Sequence, residues 1–143
     1  MSRFVSAALL AAAIGLAVVA SSGARSTYVP PSGQVTVGGK TQIFKGGACF
    51  KRQTKYKFDA SIGGAGRLLQ IQVRDGRGGR FLLPSERAKV FWRIRGGAFY
   101  IDPGSMTVSN NLMSGSFSGR VFGRQGVVGR GRGSWRCFSL VAG

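Results

Sequence analysis

The sequence predicts an all-β protein: a small antiparallel sandwich or barrel of about seven to nine short strands, preceded by a cleaved signal peptide. Short stretches that alternate apolar and polar residues recur along the chain, which is the period of a half-buried strand. Glycine pairs and Asp-Gly or Asn-Asn steps separate these stretches at hairpin spacing. After the N-terminal segment, apolar residues nowhere recur at i, i+3, i+4 and i+7, so no amphipathic helix is expected. No period of about 20–50 residues repeats, which excludes a solenoid.

The first element is the signal peptide, residues 1–24. Arg3 is the only charge before Arg25, and every residue from Phe4 to Ala20 is apolar or small. Ser21-Ser22-Gly23-Ala24 then offers the small residues that a signal peptidase reads. The cut is expected after Ala24, with Ala20 as the second site. The apolar run of 17 residues lies at the lower edge of a bilayer span, so an uncleaved anchor is the alternative. Its Ala and Gly content makes it weakly apolar and favours cleavage. No twin arginine occurs, no cysteine follows the run, and no second long apolar stretch exists. The cleaved protein is therefore expected to be exported, periplasmic or secreted, with no transmembrane segment.

Residues 25–34, with Pro30-Pro31 and no period, read as an extended leader, and residues 35–143 as a single β-domain. Within it, Tyr56, Phe58, Ala60 and Ile62 share one face, opposed by Lys57, Asp59 and Ser61. Leu69, Ile71 and Val73 repeat the pattern against Gln70, Gln72 and Arg74. Val90, Trp92 and Ile94 oppose Phe91, Arg93 and Arg95. Phe99 with Ile101, and Met106 with Val108, continue it. Turns are expected at Gly63-Gly64, Asp75-Gly76, Gly78-Gly79, Gly96-Gly97 and Asn110-Asn111. The one helical candidate is a single turn over 84–89, opened by Pro84. Two or three further strands fill the C-terminal third, ending with Trp135 and Cys137 on one inward face.

Gly115-Ser-Phe-Ser-Gly119 followed by Gly133-Ser-Trp-Arg-Cys137 resembles a loose group of small exported single-disulfide β-proteins of GC-rich bacteria, which end on a G-x-W-x-C strand. The resemblance covers about 25 residues. It implies the fold and the compartment, and assigns no activity.

Cleavage after Ala24 leaves 143 − 24 = 119 residues, enough for one modest core. Cys49 and Cys137 form an even pair, which in an exported protein reads as a disulfide. Two free thiols are the alternative. Closing an 88-residue loop stabilises by about 4–5 kcal/mol in the chain-entropy account.

Charge is the strongest functional signal. Without Arg3, 20 basic residues face 4 acids, a net charge of +16. Such a surface attracts polyanions: a glycan, a phosphate polymer, a nucleic acid or anionic headgroups. The competing reading is genome bias, because GC-rich codons enrich Arg, Gly and Ala together and arginine outnumbers lysine 15 to 6. That bias does not explain the scarcity of Asp and Glu.

Catalysis finds no foothold. The sequence has no histidine, so the usual base near neutral pH and the commonest metal ligand are missing. With both cysteines bridged, no transition-metal site and no cofactor is expected. Asp59, Asp75, Glu86 and Asp102 fall at expected turns or beside basic residues, and no two are spaced for a glycosidase pair. A Ser–Lys pair stays open, although no S-x-x-K occurs. The expectation is a protein that is not an enzyme. Arg77–Arg80, Arg95–Gly97 and Arg130–Gly133 look like short RGG segments, but hairpin turns explain them better.

One constellation remains. Lys57, Gln70, Gln72, Arg74, Arg93, Arg95 and Arg136 share outward parity with Phe91, Tyr100 and Phe138 on their strands. Cationic and amide groups among exposed aromatics suit an anionic polymer. Merely solvated residues on two different faces are the plainer reading. The expected function is thus an exported, non-enzymatic binding protein that recognises an anionic polymer, whether an envelope glycan, a phosphate polymer or a nucleic acid. A structural or assembly component of the envelope with no ligand is the alternative, and a secreted enzyme or toxin with an unrecognised site is the third.

N-terminal sequencing of protein from the medium or periplasm should find the first residue at Arg25, or near Ser21 if the earlier site is used. Recovery only at full length in the membrane fraction would establish the anchor instead.

Overall fold

The computed structural model describes residues 28–143; residues 1–27, with the expected signal peptide, its cut and the start of the expected leader, lie outside the described residues. Eleven strands build the fold. They are β1 (Ser32–Val37), β2 (Lys40–Lys45), β3 (Gly47–Lys51), β4 (Phe58–Gly64), β5 (Arg67–Val73) and β6 (Gly79–Leu83). Then come β7 (Ala88–Ile94), β8 (Gly97–Val108), β9 (Ser114–Gly123), β10 (Gly126–Arg136) and β11 (Val141–Ala142). The count exceeds the expected seven to nine because β1 begins inside the expected leader, and because β6 and the two-residue β11 carry little alternation of their own.

All strands lie in one sheet, ordered β11-β3-β4-β5-β7-β8-β9-β10-β1-β2, with β6 beside β8. Every pairing is antiparallel except β11 on β3, which is parallel. The expected sandwich or barrel is therefore a curled open sheet, a half-barrel. Two register shifts, between Ile101 and Gly104 in β8 and between Val127 and Gly129 in β10, add local bend. The first part of β8 pairs with β7 and its second part with β6.

The two margins of the sheet are joined through the chain. Gly46 alone separates β2 from β3; its N–H donates to the Pro31 carbonyl (3.1 Å) and its carbonyl accepts from Gly63 N–H (3.1 Å). Gly46 and Gly47 hold φ at +99° and +78°, a region that side chains disfavour. A Cβ on Gly47 would also strike the Ser61 carbonyl oxygen. Cys49 of β3 is bridged to Cys137, just past β10, with Cα atoms 6.2 Å apart. The bridge stitches the β3 margin to the far side of the curl, as the cysteine pair predicts.

One apolar cluster fills the concave side. Phe58, Ala60 and Ile62 of β4, Leu69, Ile71 and Val73 of β5, and Val90 and Trp92 of β7 are all buried, in the alternation expected. Phe58 stacks on Trp135 at 5.3 Å, and Trp92 on Phe99 at 5.8 Å. Tyr56 departs from its expected place: it precedes β4, is half-buried, and its ring lies 5.6 Å from the Lys89 ammonium.

The C-terminal strands solve packing differently. Their inward positions are largely glycine. A Cβ on Gly115 would sit 2.7 Å from Cζ2 of Trp135, and one on Gly131 would sit 2.6 Å from Cγ2 of Val121. One on Gly133 would strike the Phe117 ring, and one on Gly33 would sit 2.6 Å from Cδ2 of Leu69. Rings from neighbouring strands lie over Gly115 and Gly133, and branched aliphatic side chains over Gly131 and Gly33. Arg130–Gly133, expected as a hairpin turn, is therefore the middle of β10, with arginine outward and glycine inward. Gly63-Gly64 likewise belongs to β4, and the turn falls on Ala65-Gly66.

No helix forms among the described residues. At 84–87 the Ser85 hydroxyl accepts the N–H groups of Arg87 and Ala88, both at 3.2 Å, and holds a bend that delivers Ala88 into β7. This replaces the expected helical turn. No helix among the described residues is long and apolar enough to cross a membrane.

Thiol titration of the unfolded, unreduced protein should find no free thiol. Replacing Cys49 and Cys137 by Ala should lower the Tm by roughly 15 °C or more, given the long closed loop. Gly133→Ala should destabilise by about 1–3 kcal/mol through overpacking against Phe117. Gly66→Ala, where nothing lies within 4 Å of the new methyl, should be close to neutral in the same thermal melt.

Candidate anion-binding surface

The convex face is where polar side chains project, and register decides which of them meet. Gln70, Phe91, Tyr100 and Phe122 stand directly opposite one another across β5, β7, β8 and β9. The order β5-β7-β8 brings Phe91 and Tyr100 together, as the expected site requires. Tyr100 and Phe122 stack at 5.5 Å, and the Arg120 guanidinium lies 5.0 Å from the Phe122 ring. Gln72 pairs with Lys89 one row away, Arg93 with Ala98 one row the other way, and Arg95 occupies the β7–β8 turn.

Lys57 and Arg74 are neighbours too. Backbone hydrogen bonds link Arg52 to Lys57, Lys57 to Arg74 and Arg74 to Arg87, a row of four cations. Three of the chain's four acids lie here as well. Arg74 Nη1 is 3.5 Å from Glu86 Oε2, and Arg52 Nε is 3.6 Å from Asp59 Oδ2. Asp75 joins Lys57, Arg77 and Arg87 around a hollow of about 450 Å³. Asp59, expected on a solvated face, is only 9% exposed. Arg52 and the Gln70 amide, which donates to Asp59 Oδ1 at 3.3 Å, cover it. Gln70 is thus committed to a structural contact, and two of the four cations in the row are paired with acids.

Arg136 belongs elsewhere. It is opposite Ser32 and Ser114 on β10, on the part of the convex face formed by β8, β9, β10, β1 and β2. The ten residues of the expected constellation therefore do not form one patch. Sequence parity places each outward, yet strand order separates Arg136 and its neighbour Phe138 from the rest.

Around Arg136 the structure gathers groups that the sequence reading passed over. Thr107, Ser116, Ser134 and Gln34 stand in one cross-strand row over β8, β9, β10 and β1. Ser105, Ser118, Arg132, Thr36 and Thr41 form the next, extending to β2. Adjacent strands lie about 4.8 Å apart, so these are contiguous hydroxyl ladders. Short side chains on the floor leave two adjoining concavities, of about 710 and 550 Å³. Ile43 and Phe138 line one margin, 55% and 47% exposed.

At the other end of this trough Arg120 stands directly opposite Arg130, with Arg132 two residues along the same strand. Like charges directly opposed across a sheet repel. No carboxylate among the described residues lies within ion-pair distance of these three side chains. Arg130 and Arg132 were legible as alternating outward residues once Gly131 and Gly133 are recognised as inward. The turn reading of R-G-R-G concealed that.

Comparison of the chain with protein-family models, with curated proteins and with solved structures finds no match.

Proposed function

We propose that this is an exported, non-enzymatic binding protein that takes an anionic polymer along the trough on β8, β9, β10, β1 and β2. The observation that carries the reading is the cluster of Arg120, Arg130 and Arg132 at the trough's end, none of them in an ion pair among the described residues, with Arg120 Nε donating to the Asp102 carbonyl at 3.0 Å. Juxtaposed like charges destabilise a free protein and are relieved when an anion bridges them. Arg136 and Lys45 continue the positive lining at the opposite end. The face holding Lys57 and Arg74 carries most of the acids and is the weaker candidate. Genome bias accounts for arginine abundance, but not for three arginines aligned without an ion-pair partner among the described residues.

Export is part of the proposal. The Cys49–Cys137 bridge fits an oxidising compartment, and the N-terminal apolar segment fits a secretory signal. The assembly alternative has less support. At the β2 margin Arg67 Nη1 donates to the Ile43 carbonyl at 3.2 Å, and Lys40 and Lys45 flank the strand, which are devices that discourage edge pairing.

Retention on heparin should fall steeply with salt. Changing Arg120, Arg130 and Arg132 together to Gln should weaken binding at least tenfold and flatten the log–log salt slope by roughly 2–3. The same variant should melt slightly higher, because repulsion is removed. Changing Arg74, Arg77 and Arg87 to Gln removes equal charge and should matter far less. Equal losses in the two variants would show diffuse attraction and end the trough reading.

A further inference from the structure

The chemistry of the trough floor narrows what polymer it takes. We infer that the ligand is an acidic polysaccharide, a chain that presents both hydroxyls and carboxylates or sulfates; this rests on the anionic-polymer reading above.

Between Arg132 and Arg136 lies one cross-strand row that is entirely hydroxyl and amide, Thr107, Ser116, Ser134 and Gln34, and in the next row Ser105, Ser118, Thr36 and Thr41 flank Arg132. A hydroxyl both donates and accepts, and an amide offers both functions on one planar group. A floor of such groups matches a ligand whose own surface is hydroxyls in mixed donor and acceptor roles. Phosphate chains present acceptors only, so each floor hydroxyl could donate to them but would keep its lone pairs unused.

Single-stranded nucleic acid demands something the trough lacks. Its sequence-tolerant recognition rests on successive aromatic platforms for the bases. The outward aromatics Phe91, Tyr100 and Phe122 lie in the row over β7, β8 and β9, and none lines the trough. Tyr100 and Phe122 are moreover stacked on each other, 13° from parallel. The single exposed ring at the trough margin is Phe138. One ring at one end suits the apolar face of a sugar better than a run of bases.

The charges agree with this division. Along β10, Arg130 and Arg132 stand on one side, and Arg136 on the other, of the neutral row formed by Thr107, Ser116, Ser134 and Gln34. Such an arrangement fits a chain on which each anionic group is accompanied by free hydroxyls, where a polyphosphate offers only charged acceptor oxygens along its length. Guanidinium groups bind carboxylate and sulfate as planar forks.

The test compares three probes of matched charge by titration at one salt concentration: an alginate oligosaccharide, an oligo-dT and inorganic polyphosphate. The variant carries Thr107→Val, Ser116→Ala and Ser134→Ala, which removes three hydroxyls and no charge, and its Tm is checked against the parent. Alginate binding should be tightest in the parent and fall about tenfold or more in the variant, since each lost hydrogen bond is worth roughly two- to tenfold. Binding of oligo-dT and polyphosphate should stay within about twofold. Tighter parental binding of oligo-dT or polyphosphate, or losses shared equally by all three probes, would overturn the glycan assignment while leaving the anionic-polymer reading standing. An unchanged alginate affinity in the variant would do the same. Absence of salt-dependent binding to any probe would remove both.

Discussion

The fold depends on bringing the two margins of a single sheet close enough to enclose one core. Two covalent constraints achieve this. The chain crosses from β2 to β3 through Gly46, which is hydrogen-bonded to both flanking segments, and the Cys49–Cys137 bridge ties β3 to the end of β10. Against them works the mutual repulsion of 21 basic residues opposed by 4 acids. Burial supplies the attraction, since Phe58, Ile62, Leu69 and Ile71 are wholly removed from solvent. The crosslink reduces what that burial must offset, because it restricts the unfolded chain before any packing occurs.

Inside this frame the two halves of the sheet follow different packing rules. On β4, β5 and β7, bulky residues point inward and meet one another. On β9 and β10, glycine points inward and rings from adjacent strands fill the space. The outward positions diverge accordingly. Opposite the bulky half stand the cation row and its acids; opposite the glycine half stand hydroxyls and arginines without ion pairs among the described residues. The proposed site thus occupies the part of the sheet where the backbone is closest to the core aromatics.

Legibility in the sequence follows the same division. Leu69, Ile71 and Val73, or Val90 and Trp92, announce their strands because inward residues are large and outward ones polar. In R-G-R-G-S-W-R the inward residue is glycine, which reads as punctuation. The same ambiguity moved the β4–β5 turn from Ala65-Gly66 to Gly63-Gly64. Parity placed Lys57, Gln70, Phe91 and Arg136 outward, but neighbourhood depends on strand order. That β7, and not β6, lies beside β5 is a long-range fact set by core packing. The cysteine pair was legible because the chain has two cysteines, so each has one possible partner.

The thin glycine wall also gives the protein a built-in optical gauge. The chain has two tryptophans. Trp135 lies beneath Gly115, with its ring edge where that residue's side chain would be, and its buried Nε1 has no hydrogen-bond partner. Trp92, on β7, packs against Phe99 and, with centroids 6.4 Å apart, Phe117 of β9. An indole one backbone away from the trough, with no internal donor bond to fix its electronic environment, feels the field of whatever occupies that surface. Its emission and that of Trp92 therefore report from different strands, so a single-tryptophan form of each helps separate occupancy beside Gly115 from a change in the whole fold.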